Sequence, residues 1–141
     1  MNKSLLLTSL LTLMSMSAFG ATFEQYVPTA DTFVESLLLT AEKLEKQKAI
    51  DISHKNVLIV DTSLLDNGDY DKGTLDSYKN LILVGNSGSV QKAMKYLLGF
   101  SVDGNSVLIS KDDKGHMTVK RYAPNLEISD DQRALGFLKL L

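Results

Sequence analysis

The chain has no cysteine, and only two prolines fall among its 141 residues. Without cysteine it forms no disulfide, carries no cysteine-linked lipid or haem, and offers no thiolate to a metal ion. A cysteine nucleophile and thiol redox chemistry are excluded for the same reason. The folded protein must therefore be stabilised by packing and hydrogen bonds alone.

The chain also lacks a strong excess of either charge. Its 17 acidic residues and its 15 lysines and arginines give a net charge of −2. Lys3 is the one charged residue before position 21, so residues 21–141 carry a net charge of −3. A chain with so weak a negative charge is not expected to bind nucleic acid or to dock on anionic lipid.

The first twenty residues match a secretory signal peptide. Lys3 supplies the positive charge, and residues 5–19 contain only apolar residues, serine and threonine. Ala18 and Gly20 place small residues at the spacing that signal cleavage ahead of Ala21 requires. The apolar stretch is shorter than the roughly 20 residues that span a bilayer, which disfavours the alternative of an uncleaved anchor. We therefore expect residues 1–20 to be removed, and the mature protein to be periplasmic or secreted, in a bacterium, without a membrane anchor.

Residues 21–141 are expected to form one domain, because they contain no repeat, no low-complexity stretch and no long linker. Apolar residues at helical spacing predict two of its helices, and a capping box formed by Ser129 and Gln132 predicts the start of the last one. The predicted helices cover residues 28–49, residues 90–98 and the segment after Ser129, with a short helix near residues 74–78.

Four strands are predicted, over residues 56–61, 80–85, 106–110 and 116–122. The first two are uninterrupted aliphatic runs, which is typical of parallel strands buried on both faces, and a crossover joins them. The last two form an antiparallel hairpin at the edge of the sheet. The fold class predicted is a small single-domain layered α/β sandwich with two central parallel strands, an edge antiparallel hairpin and helices on both faces. The element order is α-β-crossover-β-α-β-β-α.

The turn after the second strand is the main candidate for a ligand site. In an open α/β sheet, ligands bind beyond the carboxyl ends of the strands. Asp61 ends one predicted strand, and the turn after the next leads into a helix whose first N–H groups favour an anion. The predicted ligand-binding residues are Asp61, Gly85, Asn86, Ser87, Gly88 and Ser89. The alternative is an ordinary tight turn in which Ser87 or Ser89 caps the helix, since neither the P-loop nor the dinucleotide motif is matched.

The same turn nearly matches the nucleophile elbow of serine hydrolases, with Ser89 in place of the final glycine. Ser87 would then be the nucleophile, and His116 its general base. Asp112 would orient the histidine, with Asp103 and Asp113 as the other choices. The competing interpretation of His116 is a histidine beside a surface turn that needs no special function.

A metal site is a weaker hypothesis, with Asp66, Asp69 and Asp71 in one loop as candidate ligands for Ca²⁺. The EF-hand register fails, because Thr74 and Asn80 stand where glycine and glutamate are needed. A solvated acidic loop is the alternative. Zinc is not expected, because the chain has two histidines and no thiol. No cofactor is expected either.

The sequence favours an exported binding or accessory protein without enzymatic activity. A catalytic domain normally shows converging nucleophile, base and acid positions, and this chain offers one near match. One alternative is a small serine hydrolase that uses Ser87. The other is a chaperone or immunity-type partner of an exported protein system, which would contact another exported protein through the edge strand from His116 to Tyr122.

Overall fold

The structure is a computed structural model that describes residues 22–51, 55–65, 71–122 and 127–141. The predicted signal peptide lies outside the described residues. The strands are β1 (Thr22–Gln25), β2 (Asn56–Asp61), β3 (Asn80–Val84), β4 (Ser106–Lys111) and β5 (Met117–Arg121). The helices are α1 (Thr32–Lys46), α2 (Lys72–Asp76), α3 (Ser87–Leu98) and α4 (Asp130–Leu140), and a 3₁₀ turn (Thr62–Leu65) follows β2.

The strands form one sheet in the order β1-β2-β3-β4-β5. β1, β2 and β3 run parallel, while β4 is antiparallel to both β3 and β5. The fold class predicted from the sequence is therefore confirmed. The aliphatic runs of β2 and β3 lie in the interior of the sheet, and the β4–β5 hairpin forms one of its edges.

Helices cover both faces of the sheet, so that two cores are separated by the strands. On one face, here called the α1/α4 face, the rings of Phe33 and Phe137 meet edge to face with centroids 5.7 Å apart. The other face, the α2/α3 face, is filled by residues of the two shorter helices, among them Leu75 and Met94. Neighbouring residues of β2 and β3 point alternately into the two cores, which explains their uninterrupted aliphatic sequence.

β1 is an addition to the predicted element order, which began with a helix. Phe23 inserts into the core of the α1/α4 face and is 1% exposed. The pairing with β2 continues one residue past the strand, where the Tyr26 N–H donates to the Ile59 carbonyl at 2.9 Å. A third parallel strand therefore precedes the two that the sequence predicts.

Capping side chains set where the helices begin. Asp31 accepts hydrogen bonds from the N–H groups of Phe33 and Val34, so α1 starts after Asp31 rather than at the predicted Pro28. The predicted capping box at the start of α4 is present, because Ser129 and Gln132 exchange side-chain to backbone bonds. These short-range bonds satisfy N–H groups that a helix leaves unpaired at its first turn.

Candidate functional site

The carboxyl ends of β2 and β3 meet at one edge of the sheet, as the sequence predicts. Asp61 lies in register with Val84, and Val84 lies in register with Ser106 of β4. The next residue after β3 is Gly85, so the structure brings Asp61 and the Gly85 turn together. The predicted ligand-binding residues therefore lie at the same edge of the sheet, although their role in binding stays a prediction.

The Asp61 carboxylate is already held by the chain itself. The residue is 6% exposed, and its carboxylate accepts hydrogen bonds from the hydroxyl of Thr29 and from both the N–H (3.1 Å) and the hydroxyl (2.5 Å) of Ser63. These bonds tie the end of β2 to the segment that precedes α1. A ligand that binds Asp61 has to share this carboxylate with three internal hydrogen bonds.

Gly85 is required by a close approach of the backbone to Thr62. The Thr62 hydroxyl donates to the Val84 carbonyl at 2.8 Å, and a Cβ on Gly85 would lie 2.5 Å from that hydroxyl oxygen. The φ angle of Gly85 is +140°, which residues with side chains rarely adopt. Packing against Thr62 therefore explains this glycine without a ligand.

The start of α3 is capped internally, by Asn86 rather than by the predicted Ser87 or Ser89. The Asn86 side chain accepts from the Ser89 N–H at 2.9 Å. Ser87 instead accepts from the Gly104 N–H at 3.1 Å and from the Gln91 amide at 3.2 Å. These bonds fix the loop before β4 against α3, as expected of a structural turn.

The structure does not bring the predicted catalytic residues together. Ser87 follows the carboxyl end of β3, whereas His116 lies in the turn between β4 and β5, at the opposite end of the sheet. The four residue steps from Asn80 to Val84 alone separate the two ends by ~13 Å. His116 Nδ1 does lie 3.1 Å from Asp112 Oδ2, but this exposed pair lies at the end of the sheet away from Ser87.

The other two candidate orienting residues have other partners. Asp103 forms an ion pair with Arg121 at 2.9 Å, and Asp113 pairs with Lys79. The Lys79 ammonium holds the pKa of Asp113 below its usual range. Neither carboxylate is therefore placed to orient a catalytic histidine.

The predicted metal loop lies mostly outside the described residues, which include Asp71 but not Asp66 or Asp69. Asp71 caps α2, where its carboxylate accepts the Thr74 hydroxyl at 2.8 Å and the Thr74 N–H at 3.4 Å. These hydrogen bonds lower the pKa of Asp71. Within the described ranges, no three histidine, aspartate or glutamate side chains are grouped so as to hold a metal ion.

A second polar group at the carboxyl edge was missed by the sequence analysis. Ser106 is fully buried, and its hydroxyl accepts from the Arg133 guanidinium at 3.4 Å. Arg133 also pairs with Asp130 and lies 5.0 Å from the centroid of the Phe33 ring. This group joins α4 to β4 and α1, and the Asp130–Arg133 spacing at the capping box was its sequence signal.

A polar cleft of about 770 Å³, also missed, opens at the opposite end of the sheet, beside the amino ends of β2 and β3. It is lined by residues of β2, β3, β4 and β5 and of the β4–β5 turn, including Lys55, Asn56, Lys79, Asn80, Lys111 and His116. The sequence signal was the repeated Lys-Asn pair that precedes each aliphatic run. Parallel pairing brings the two copies side by side.

The outer edge of β5 is open in the described part of the chain. In the hairpin turn, the Asp112 N–H donates to the His116 carbonyl at 2.9 Å. Because hydrogen-bonded and non-bonded pairs alternate in an antiparallel ladder, Thr118 and Lys120 direct their backbone groups toward β4. Met117, Val119 and Arg121 direct theirs away from the sheet.

No protein-family model matches the chain, and neither a curated protein nor a solved structure does so. None of the helices in the described ranges is long and apolar enough to cross a membrane. The function therefore has to be argued from the chain's own geometry.

Proposed function

We propose that this chain is an exported, non-enzymatic accessory protein that binds a partner protein along the open edge of β5. The observation that carries the proposal is the outward direction of the backbone groups of Met117, Val119 and Arg121. Each of these residues presents one hydrogen-bond donor and one acceptor. An extended segment of a partner adds to such an edge as a further strand.

The charges of β5 indicate which partner segment fits. Lys120 makes the strand basic, together with Arg121, whose charge is shared with Asp103, and like charges of this kind discourage two copies of an edge from pairing with each other. The exposed side chains of Met117 and Thr118 add an apolar and a hydroxyl contact. An extended segment with acidic side chains complements this edge best.

The separation of Ser87 and His116 supports this proposal over a serine hydrolase. A general base must reach the proton that it removes, either directly or through one water. These two residues lie at opposite ends of the sheet, and each of them already has a structural hydrogen-bond partner. The hydrolase alternative would need a different base.

A pair of substitutions at Val119 tests the proposal. Val119→Pro removes the central outward N–H but leaves the inward bonds of Thr118 and Lys120 to β4. Val119→Thr keeps both the N–H and the branched side chain, so it is the matched control. A photo-crosslinking residue at the exposed Met117, in the exported protein in cells, reports the partner.

We expect Val119→Thr to crosslink like the parent protein. Val119→Pro should lower the yield of crosslinked adduct about tenfold, because the proline ring blocks strand addition. Thermal melting shows whether both variants are folded. Equal crosslinking by two folded variants would show that the partner does not pair with β5. The Ser87→Ala variant should give the same yield of crosslinked adduct. A lower yield would indicate that the partner contacts the turn before α3 instead.

A further inference from the structure

Two lysines face each other across the β3–β4 ladder at the polar cleft. The Lys111 N–H donates to the Lys79 carbonyl at 2.8 Å, so the two residues lie directly opposite. Such a pair has its Cα atoms about 5.5 Å apart. Because side chains alternate along a strand, Lys111 shares the face of Ile109, which belongs to the α2/α3 core, while Lys79 lies one residue before β3.

Like charges directly opposite each other destabilise a sheet unless an anion lies close to both. Carboxylates on neighbouring segments supply part of this compensation. Asp113 pairs with Lys79, and Asp76 lies 3.8 Å from Lys111. Both carboxylates are solvent-exposed, and surface pairs of this kind contribute little to stability. A ligand anion can therefore displace them at small cost.

The neighbouring strand adds hydrogen-bonding groups to the same row. Val57 pairs with Asn80, so the preceding residue of β2, Asn56, lies beside Lys79 on the α2/α3 face. Lys55 contributes a third ammonium group to the rim of the cleft. One volume of about 770 Å³ is therefore lined by three lysines and an asparagine of adjacent segments, together with two aspartates of the β4–β5 turn: Lys55, Lys79, Lys111, Asn56, Asp112 and Asp113.

We propose that this cleft binds a phosphate group, bridged by the ammonium groups of Lys79 and Lys111 with Asn56 beside them. A phosphate monoester or the free ion carries a charge of roughly −1.5 to −2 at neutral pH and several acceptor oxygens. One such group neutralises two opposed lysines, whereas a single carboxylate neutralises one. The free ion and the terminal group of a phosphate ester share this chemistry.

The proposal is tested by NMR titration of the protein with inorganic phosphate, with sodium chloride replaced so that ionic strength stays constant. We expect the backbone amide signals of Asn56, Lys79 and Lys111 to shift together and to saturate. Lys111→Gln should weaken binding about tenfold, because it removes one of two charge-assisted contacts. Lys114→Gln, a change of the same charge in the neighbouring turn outside the cleft, should alter it by less than about twofold.

A second variant should act in the opposite direction. Asp113→Asn removes the carboxylate that competes for Lys79, and we expect it to tighten phosphate binding about threefold. If the ion pair served only to stabilise the hairpin, this substitution would lower the melting temperature without tightening binding, and the proposal would be wrong.

The location of the shifts supplies the remaining outcomes. Shifts confined to residues 85–89 would place the anion at the start of α3 and overturn the cleft site. If sodium chloride at equal ionic strength produces the same amide shifts as phosphate, the response is not specific to phosphate, and the cleft site is overturned as well. Titration with glycerophosphate separates the two sources: tighter binding than inorganic phosphate identifies an ester as the ligand, and equal or weaker binding identifies the free ion.

Discussion

Tyr78 donates its phenolic hydroxyl to the carboxylate of Glu24, across 54 positions of the chain. The bond joins Tyr78, two residues before β3, to β1, the outermost parallel strand. A second contact acts beside it, where the Asp71 N–H donates to the Tyr26 hydroxyl at 2.9 Å. The crossover that contains α2 therefore holds β1 against the sheet through two tyrosine hydroxyls.

We expect this contact to make stability depend on high pH. Burial, the hydrogen bond to Glu24 and the charge of Glu24 raise the pKa of Tyr78 from 10.0 to about 12. The protonated phenol is thus favoured in the folded state, so its contribution is complete below pH 10 and is lost as the pH rises toward 12. Tyr78→Phe should lower the unfolding free energy by about 1 kcal/mol at neutral pH. It should also reduce the loss of unfolding free energy between pH 10 and pH 12. Denaturant titrations of both proteins at several alkaline pH values measure this, and parallel declines would contradict it.

Asp61 should behave first as a structural residue. Asp61→Ala leaves the hydroxyls of Thr29 and Ser63 without their acceptor, and we expect a loss of about 2–4 kcal/mol. Asp61→Asn keeps one oxygen acceptor and should lose less. Chemical denaturation measures both values. An Asp61→Ala protein as stable as the parent would show that the internal bonds contribute little, and would favour a carboxylate retained for a ligand.

Gly85→Ala should be among the most destabilising small substitutions in the chain. The new Cβ would meet the Thr62 hydroxyl at 2.5 Å, and the backbone would keep an unfavourable φ, so we expect a loss of about 3 kcal/mol. Thr62→Ala in the same chain should recover part of that loss. The control is Gly115→Ala, which has positive φ but no atom within 4 Å of the new Cβ, and should cost about 1 kcal/mol. Equal losses at the two glycines would rule out the clash.

The features predicted correctly from the sequence are those fixed by neighbouring residues. The aliphatic runs of β2 and β3 and the capping box at Ser129 are local patterns with direct physical causes. β1 has no such pattern, because its residues Thr-Phe-Glu-Gln include one core side chain, Phe23. It becomes a strand through pairing with β2, more than thirty positions later, and no local signal records that pairing.

That Asp61 and Gly85 meet at one edge was predictable, but the hydrogen-bond partners of Asp61 were not. The topology of parallel strands places Asp61 and Gly85 at one edge. That Asp61 is bonded to Thr29, 32 positions earlier, depends on how α1 enters the fold. The cleft depends on register in the same way, since Lys79 and Lys111 become neighbours only when β3 and β4 pair.

Both faces of the sheet should be intolerant of charge. Ile59 faces the α1/α4 core and Leu83 faces the α2/α3 core, and neither is exposed. An aspartate at either position has no partner, and its burial costs several kcal/mol against a total stability of roughly 5–15 kcal/mol. Ile59→Asp and Leu83→Asp should therefore unfold the domain. The matched control is Leu39→Asp on α1, because Leu39 is 58% exposed. Circular dichroism melts compare the three, and a normal melt for either strand variant would contradict the layered core.

Export should remove residues 1–20, so that the mature chain begins at Ala21. The uncharged run after Lys3 and the small residues Ala18 and Gly20 motivate this prediction. Phe23, a core residue, is the third residue after the expected cut, so cleavage and docking of β1 involve the same short segment. Ala18→Lys should block cleavage, because the peptidase needs a small residue at that position, and the precursor should stay with the membrane fraction.

N-terminal sequencing of the exported parent protein checks the cleavage site directly. The control is Phe23→Ser, which alters the buried anchor of β1 but not the cleavage motif. It should be cut at the same bond and yield a mature protein with reduced stability, because a core side chain is lost. Recovery of the parent chain with Met1 intact, in the membrane fraction, would contradict export by cleavage. The partner of β5 would then have to be sought at the membrane surface, where residues 1–20 would hold the domain as an anchor.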